Sequence, residues 1–142
     1  MKRLILTTGA LTLLFLSSCT MILVNDGRGG HSPMQIVNGQ WRCDKNTITD
    51  ANTVTDNPTN VVNVWFNATA DVGAFCEGTW YMTTSPESEF LWSIDGEGTE
   101  FIIKENPTNE TFWTILHLDQ CLFTISRVED DVVYEMEFSR DD

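Results

Sequence analysis

Beyond Gln40, apolar and polar residues alternate along most of the chain, and this period of two constrains the fold more than any other feature. In the last segment, Val132, Tyr134, Met136 and Phe138 share one face, whereas glutamates occupy the other. Such alternation is typical of a β-strand with one face in a core and the other in water. A helical period is hard to find in the same region. The chain is therefore predicted to be all-β.

The alternation predicts about eight antiparallel strands joined by short connections. A tight turn, Asp95-Gly96-Glu97-Gly98, follows the strand around Trp92, since glycine supplies the positive φ that hairpin loops need. Between the first two strands, the polar segment 45–60 is predicted to be a long loop with room for one short strand through Ile48 or Val54. The predicted strands are 40–44, 61–67, 74–83, 89–95, 100–104, 110–118, 121–127 and 132–138.

Two closures fit such a meander, an up-and-down barrel or an open sandwich. A barrel removes the exposed strand edges that make isolated sheets aggregate. With eight strands, its interior is wide enough only for side chains or for one small ligand. A chain of 142 residues provides one domain with a core and is too short for two.

The N-terminus has the three parts of a secretory signal. Met1-Lys2-Arg3 is basic, the stretch 4–16 is apolar, and Leu16-Ser17-Ser18-Cys19 resembles the lipobox of bacterial lipoproteins. That resemblance implies cleavage after residue 18 and lipidation of Cys19, with several acyl chains anchoring the protein in a membrane. Two alternatives are open: an ordinary cysteine near a conventional cleavage site, or an uncleaved span over residues 4–24.

The segment 19–39 is predicted to be the lipidated N-terminus and a flexible tether, because glycine, proline and polar residues dominate 25–39. His31 lies in this tether without nearby ligands and is interpreted as a linker histidine. Thr20 follows the lipidated cysteine, and by resemblance to Gram-negative sorting this residue favours the outer membrane over the inner one. The domain is then expected to cover residues 40–142, facing the periplasm or the cell surface.

The charge of the chain excludes one class of partner. The formal net charge is −13, and it becomes −15 once Lys2 and Arg3 leave with the signal. A surface this acidic repels phosphate backbones, so nucleic acid is not expected as a partner. The sequence also has no nucleotide-binding loop, zinc-ligand spacing or nucleophile motif. We therefore expect no enzymatic activity, no catalytic residues, no cofactor and no metal site.

Four short motifs resemble those of small lipocalin-like lipoproteins of bacteria. They are Glu77-Gly78-Thr79-Trp80, Leu91-Trp92-Ser93-Ile94-Asp95-Gly96-Glu97-Gly98-Thr99, Trp113-Thr114-Ile115-Leu116 and Leu122-Phe123-Thr124-Ile125. Tyr134 and Phe138 match the last strand of that family. The resemblance spans about residues 40–140 and implies a lipocalin-like barrel. It implies little about activity, because its motifs are packing and turn signatures.

Five tryptophans allow two interpretations: Trp41, Trp65, Trp80, Trp92 and Trp113. They fill the core of a small barrel, or some of them line an apolar pocket. Core filling is the favoured interpretation for the set. The candidate ligand-binding residues, should the barrel have an open end, are Trp65, Trp80 and Trp92.

Cys43, Cys76 and Cys121 remain after Cys19 is lipidated, and export favours one disulfide. Cys76 and Cys121 begin the third and seventh predicted strands, which start at the same end of a meander, and both share the parity of inward residues. They are predicted to pair. His117 shares the parity of Trp113 and is expected to face inward as a core or rim histidine.

Two functions follow from this sequence. The first is a membrane-anchored lipoprotein whose barrel binds a small apolar or amphipathic molecule. The second is a non-enzymatic envelope protein with a filled barrel, which meets an unidentified protein partner through its loops and acidic face. An open interior favours the first function, and a filled interior favours the second.

Overall fold

The computed structural model describes residues 31–56 and 61–140, which form one short helix and nine strands. The predicted signal 1–18, Cys19 and the tether up to residue 30 lie outside the described residues. Within the described part, no helix is long and apolar enough to cross a membrane. The elements are α1 (Pro33–Val37), β1 (Gly39–Asp50), β2 (Thr53–Asp56), β3 (Val61–Asn67), β4 (Cys76–Met82), β5 (Ser88–Ile94), β6 (Glu100–Asn106), β7 (Asn109–Leu118), β8 (Leu122–Glu129) and β9 (Val132–Ser139).

Eight of the strands close into an antiparallel up-and-down barrel. Each strand from β3 to β8 pairs with the next along the chain, and β1 pairs with β3 on one side and with β9 on the other. The β1–β9 ladder, from Arg42↔Ser139 to Thr49↔Val133, is the seam that closes the sheet. The prediction of an eight-stranded barrel is confirmed, and the open sandwich is excluded.

The predicted loop 45–60 is wrong over most of its length. Residues up to Asp50 continue β1, and a turn at Ala51 and Asn52, with φ of 49° and 68°, leads into β2. Positive φ at both central residues is the geometry of a two-residue hairpin. The short strand that the sequence allowed through Val54 is β2, and all four of its residues are exposed. Alternation was hidden here because neither face of β2 enters the core.

The predicted tether is also wrong over its last residues. Ser32 caps α1 by accepting a hydrogen bond from the Gln35 amide at 3.2 Å, and the Gln35 side chain accepts one from the Ser32 amide at 2.8 Å. Met34, Ile36 and Val37 are buried. The helix packs at the barrel end where β1 begins, because the Trp41 indole donates to the Val37 carbonyl at 2.8 Å. The folded domain therefore begins near residue 32.

Aromatic rings fill the middle of the barrel. Phe66 lies at the centre with no exposed surface, and its ring centroid is 5.5 Å from those of Trp92 and Phe101. Further rings around it belong to Trp80, Phe90, Phe123 and Phe138. Most of these contacts are edge-to-face, which aromatic quadrupoles favour. This half of the interior is solid.

Candidate functional site: the open end of the barrel

The end of the barrel opposite α1 is an open cup of about 360 Å³. Every barrel strand contributes at least one residue to its wall, which makes the cup the mouth of the barrel itself. The lining residues are Asn46, Val61, Trp80, Met82, Ser88, Ile103, Glu105, Asn109, Thr111, Trp113, Arg127, Glu129, Tyr134 and Met136. We call this site the cup.

The deeper wall of the cup is apolar because strand alternation directs apolar side chains inward there. Trp80, Ile103, Trp113 and Met136 are between 3% and 8% exposed. The Trp113 indole donates a hydrogen bond to the Thr111 hydroxyl at 2.9 Å, which fixes its ring at the wall. The aromatic cluster below supports these residues, so the cup has a rigid apolar floor.

A β-bulge in β1 sets which residues reach the cup. The register shifts between Cys43 and Lys45, so that Cys43 opposes Phe138 and Lys45 opposes Glu137. Before the bulge Trp41 points inward, and after it the parity reverses and Asn46 lines the cup. Bulges of this kind redirect side chains at barrel rims.

One cation lies among these lining residues. The Arg127 guanidinium carbon is 3.9 Å from the centroid of the Tyr134 ring and 5.2 Å from that of Trp113. Its Nη1 donates to Glu129 at 2.6 Å, and the Glu129 side chain is 62% exposed. The cup therefore combines an aromatic and aliphatic floor, a stacked guanidinium and a polar rim.

The three predicted ligand-binding tryptophans lie in three different places. Trp80 lines the cup. Trp92 has no exposed surface, stacks on Phe101 and lies in the solid core below. Trp65 is 44% exposed on the outer face of β3. Its predicted role in an interior site is wrong, because Val64 and Phe66 occupy the inward positions of that strand.

Sequence reasoning missed Arg127, Trp113 and Tyr134 as parts of one site. A signal for Arg127 existed, since it has the same parity on β8 as the inward residues Phe123 and Ile125. A cation at an inward position of a barrel strand indicates a polar end to the interior.

The predicted Cys76–Cys121 disulfide is not formed, because Cys76 has a free, buried thiol. The two residues do lie at the same barrel end, where β4 and β8 begin. Those strands are four apart around the closed sheet in both directions, so they form opposite walls. A disulfide needs Cα atoms within about 7 Å, and aromatic rings fill the space between these walls. Residue parity and strand end gave the position of each cysteine along the barrel axis, but not its position around the barrel.

His117 does not face inward, because β7 has a bulge between Ile115 and His117. Its side chain is 50% exposed, and Nε2 lies 2.5 Å from the Asp119 carboxylate. The other carboxylate oxygen of Asp119 accepts hydrogen bonds from the amides of Cys121 and Leu122 at 2.7 and 2.8 Å. Burial opposes ionisation of Asp119, but these hydrogen bonds together outweigh it and lower its pKa below 3.8. The pair stabilises the β7–β8 turn, far from the cup.

A second concavity, of about 500 Å³, lies on the outer surface over β4, β5 and β6. Its lining includes Glu77, Glu89, Lys104 and the turn residue Pro107. It is larger than the cup, but it is a groove on an outer sheet face rather than an enclosed end. Charged residues of both signs line it, as on an ordinary solvated surface. We therefore take the cup as the candidate site.

Among residues 31–56 and 61–140, no group of three or more histidines, cysteines or carboxylates is placed to hold a metal ion.

Comparisons with protein-family models, with curated proteins and with solved structures returned no match to this chain.

Proposed function

We propose that the protein is a membrane-anchored lipoprotein of the bacterial outer membrane whose lipocalin-like barrel binds a small apolar or amphipathic molecule in the cup. The observation that carries the binding role is a cup ringed by all eight strands with an apolar floor. Binding requires no catalytic group, and the proposal includes none.

The dimensions of the cup support one small ligand. Its 360 Å³ lies within the roughly 300–1,000 Å³ of small-molecule sites. The buried tryptophans of the wall supply large apolar area, and the solid core prevents the floor from collapsing when the cup is empty. A rigid site avoids the entropic cost of ordering side chains on binding.

The anchoring part of the proposal rests on Leu16-Ser17-Ser18-Cys19. The chain enters the barrel at the end covered by α1, and the cup lies at the opposite end. An anchor attached ahead of α1 is therefore joined to the closed end. We infer that the anchor leaves the cup unobstructed, because it joins the chain at the other end of the barrel.

Ligand binding is tested on the mature domain by comparing native with denaturing mass spectra and by titrating 1-decanol while following tryptophan fluorescence. We expect extra mass that is lost on denaturation, or a saturable fluorescence change from Trp80 and Trp113. Ser88→Trp should block the cup because Ser88 lies at its rim. Glu89→Trp is the matched control, since Glu89 lies on the outer groove. Equal binding by both variants would contradict a site in the cup.

Lipidation is tested by the mass of the mature protein from the membrane fraction. We expect a chain beginning at Cys19 with a diacylglyceryl and an acyl group, and Cys19→Ala should leave a soluble or unprocessed form. Retention of residues 1–18, a free Cys19 thiol or a disulfide at Cys19 would refute the proposed anchor.

A second candidate is the interaction protein, and the β1–β2 hairpin favours it. In the described residues β2 pairs only with β1, all four of its residues are exposed, and Val54 is 61% exposed. A strand with an unpaired edge is a template for pairing with another chain. A bare native mass, with no response to decanol, would favour this function over ligand binding.

A further inference from the structure

Arg127 is a cation at an inward position of the barrel, above an apolar floor. Phe123 and Ile125, which precede it on the inward face of β8, have no exposed surface. The guanidinium lies against Tyr134 and Trp113, and these contacts restrict the rotamers of the Arg127 side chain. A guanidinium fixed in this way is prepared for a ligand, because little rotamer freedom remains to be lost on binding.

The hydrogen bonds of Arg127 are incomplete. A guanidinium has five N–H donors, and Nη1 uses one of them on Glu129. Nε is buried and has no partner within the part of the chain that the structure describes. Buried donors are nearly always satisfied, so an unsatisfied one at the wall of a cavity indicates an acceptor that arrives with a ligand.

We propose that Arg127 binds the carboxylate of an amphipathic monocarboxylic acid whose apolar part rests on Trp80, Ile103 and Met136. This assignment rests on the proposed ligand-binding function of the cup. A carboxylate is the anion that a guanidinium edge accepts with two parallel hydrogen bonds, and such bonds are stronger than neutral ones. Glu129 uses Nη1, so the edge that includes the buried Nε has no contact with it.

Two carboxylates at the rim, Glu105 and Glu129, oppose an anion, and so does the net charge of the chain. Glu129 is mostly exposed, and exposed ion pairs are weak, so a ligand can displace it from Arg127. The remaining surface charge is screened over about 8 Å at physiological ionic strength. The attraction between Arg127 and a bound carboxylate is therefore stronger than the repulsion of that carboxylate by the more distant surface charges.

The cup also limits the length of the acid. At about 30 Å³ per water-sized group, 360 Å³ holds roughly a dozen non-hydrogen atoms. Decanoate has about that size. Two probes with the same tail and a different head separate charge from hydrophobicity: 1-decanol is neutral and decyltrimethylammonium is a cation.

The experiment measures the dissociation constants of the three probes for the mature lipoprotein domain by calorimetry, at physiological salt and pH 7.5. We expect decanoate to bind at least tenfold more tightly than 1-decanol, and decyltrimethylammonium to bind more weakly than either. Arg127→Met should reduce the ratio of decanoate affinity to 1-decanol affinity to about one. Lys104→Met is the matched control: it removes the same charge from an outer-face residue that stacks on Phe75 at 5.4 Å, and it should preserve the preference.

Glu129→Gln supplies a second test that does not depend on the folding of Arg127→Met. It removes the resident partner of Arg127, so the ratio of decanoate affinity to 1-decanol affinity should rise a few-fold. The assignment of Arg127 is overturned if wild-type protein prefers 1-decanol or the cation, or if Arg127→Met keeps the preference for decanoate. If no probe binds, the proposed function of the cup fails, and this assignment fails with it.

Discussion

Gly78 is the position where one added methyl group should cost the barrel most. It lies on the inward face of β4, opposite Phe90 of β5. A Cβ at residue 78 would lie 2.3 Å from Cζ of Phe90, whereas ordinary contacts begin near 3.4 Å. The Phe90 ring would have to move by more than an ångström. It is held by stacking on Trp80, with ring centroids 4.4 Å apart, and by the edge of Phe66.

The magnitude follows from two opposing effects. Overpacking a well-filled core costs about 1–3 kcal/mol. Replacing glycine by alanine restricts the unfolded chain and returns about 0.4–1 kcal/mol where the backbone allows it, as it does here because φ of Gly78 is not positive. Gly78→Ala should therefore lower the free energy of unfolding by about 1–2 kcal/mol.

Urea unfolding followed by tryptophan fluorescence measures this change. Gly96→Ala is the matched control, since a Cβ at residue 96 would lie 3.7 Å from Val72, which is an ordinary contact. The Gly96→Ala variant should be as stable as the wild type or more stable. The double variant Gly78→Ala/Phe90→Leu gives the added methyl group room. It should be more stable than the sum of the two single changes predicts. Additive changes, or a Gly78→Ala variant as stable as the wild type, would refute steric overlap with Phe90.

Three further predictions concern other parts of the barrel. Asp119→Asn should lower the free energy of unfolding by about 2 kcal/mol at pH 7. The pKa of Asp119 is lowered in the folded protein, so its ionised carboxylate stabilises the fold above about pH 4, and this stabilisation is lost as pH falls through the folded pKa. Urea unfolding at several pH values should therefore show the difference between variant and wild type disappearing on acidification. Cys43, whose pKa burial raises to about 12, and the buried Cys76 should resist iodoacetamide at pH 8 until urea is added, as mass spectrometry would detect. Arg140→Ala should speed hydrogen exchange in α1, because the guanidinium carbon lies 3.6 Å from the centroid of the Trp41 ring and the guanidinium donates to the carbonyls of Ile36 and Asn38. Unchanged exchange would show that Arg140 does not hold the helix against the barrel.

The barrel strands were predictable because each buries one face. The boundaries predicted for 61–67 match β3, and Met136 and Phe138, on the predicted apolar face of the last strand, are buried. The pattern failed where burial does not alternate. Both faces of β2 are in water, and α1 is too short to show a helical period. Its capping signal, Ser32 followed by Gln35, is visible in the sequence but is easily overlooked beside glycine and proline.

Bulges explain why side chains were harder to place than strands. Each bulge adds one residue to a strand and reverses the parity beyond it. The reversal at Ile115/His117 carries His117 outward, and the reversal at Cys43/Lys45 carries Asn46 into the cup. No residue type marks these bulges in the sequence. The cup was therefore predictable as an open barrel end, but its full lining was not.

The barrel interior is filled in one half and open in the other, although the sequence treats a filled and an open interior as signs of two different functions. Rings around Phe66 occupy the half nearer α1, and the cup occupies the other half. In a barrel that needed only a solid core, all inward positions of β8 would be apolar. Here the inward residues are Phe123, Ile125 and then Arg127. A buried guanidinium donor without a partner costs stability. Departures of this kind from the packing pattern are expected at functional sites, and here the departure lies where a ligand would enter.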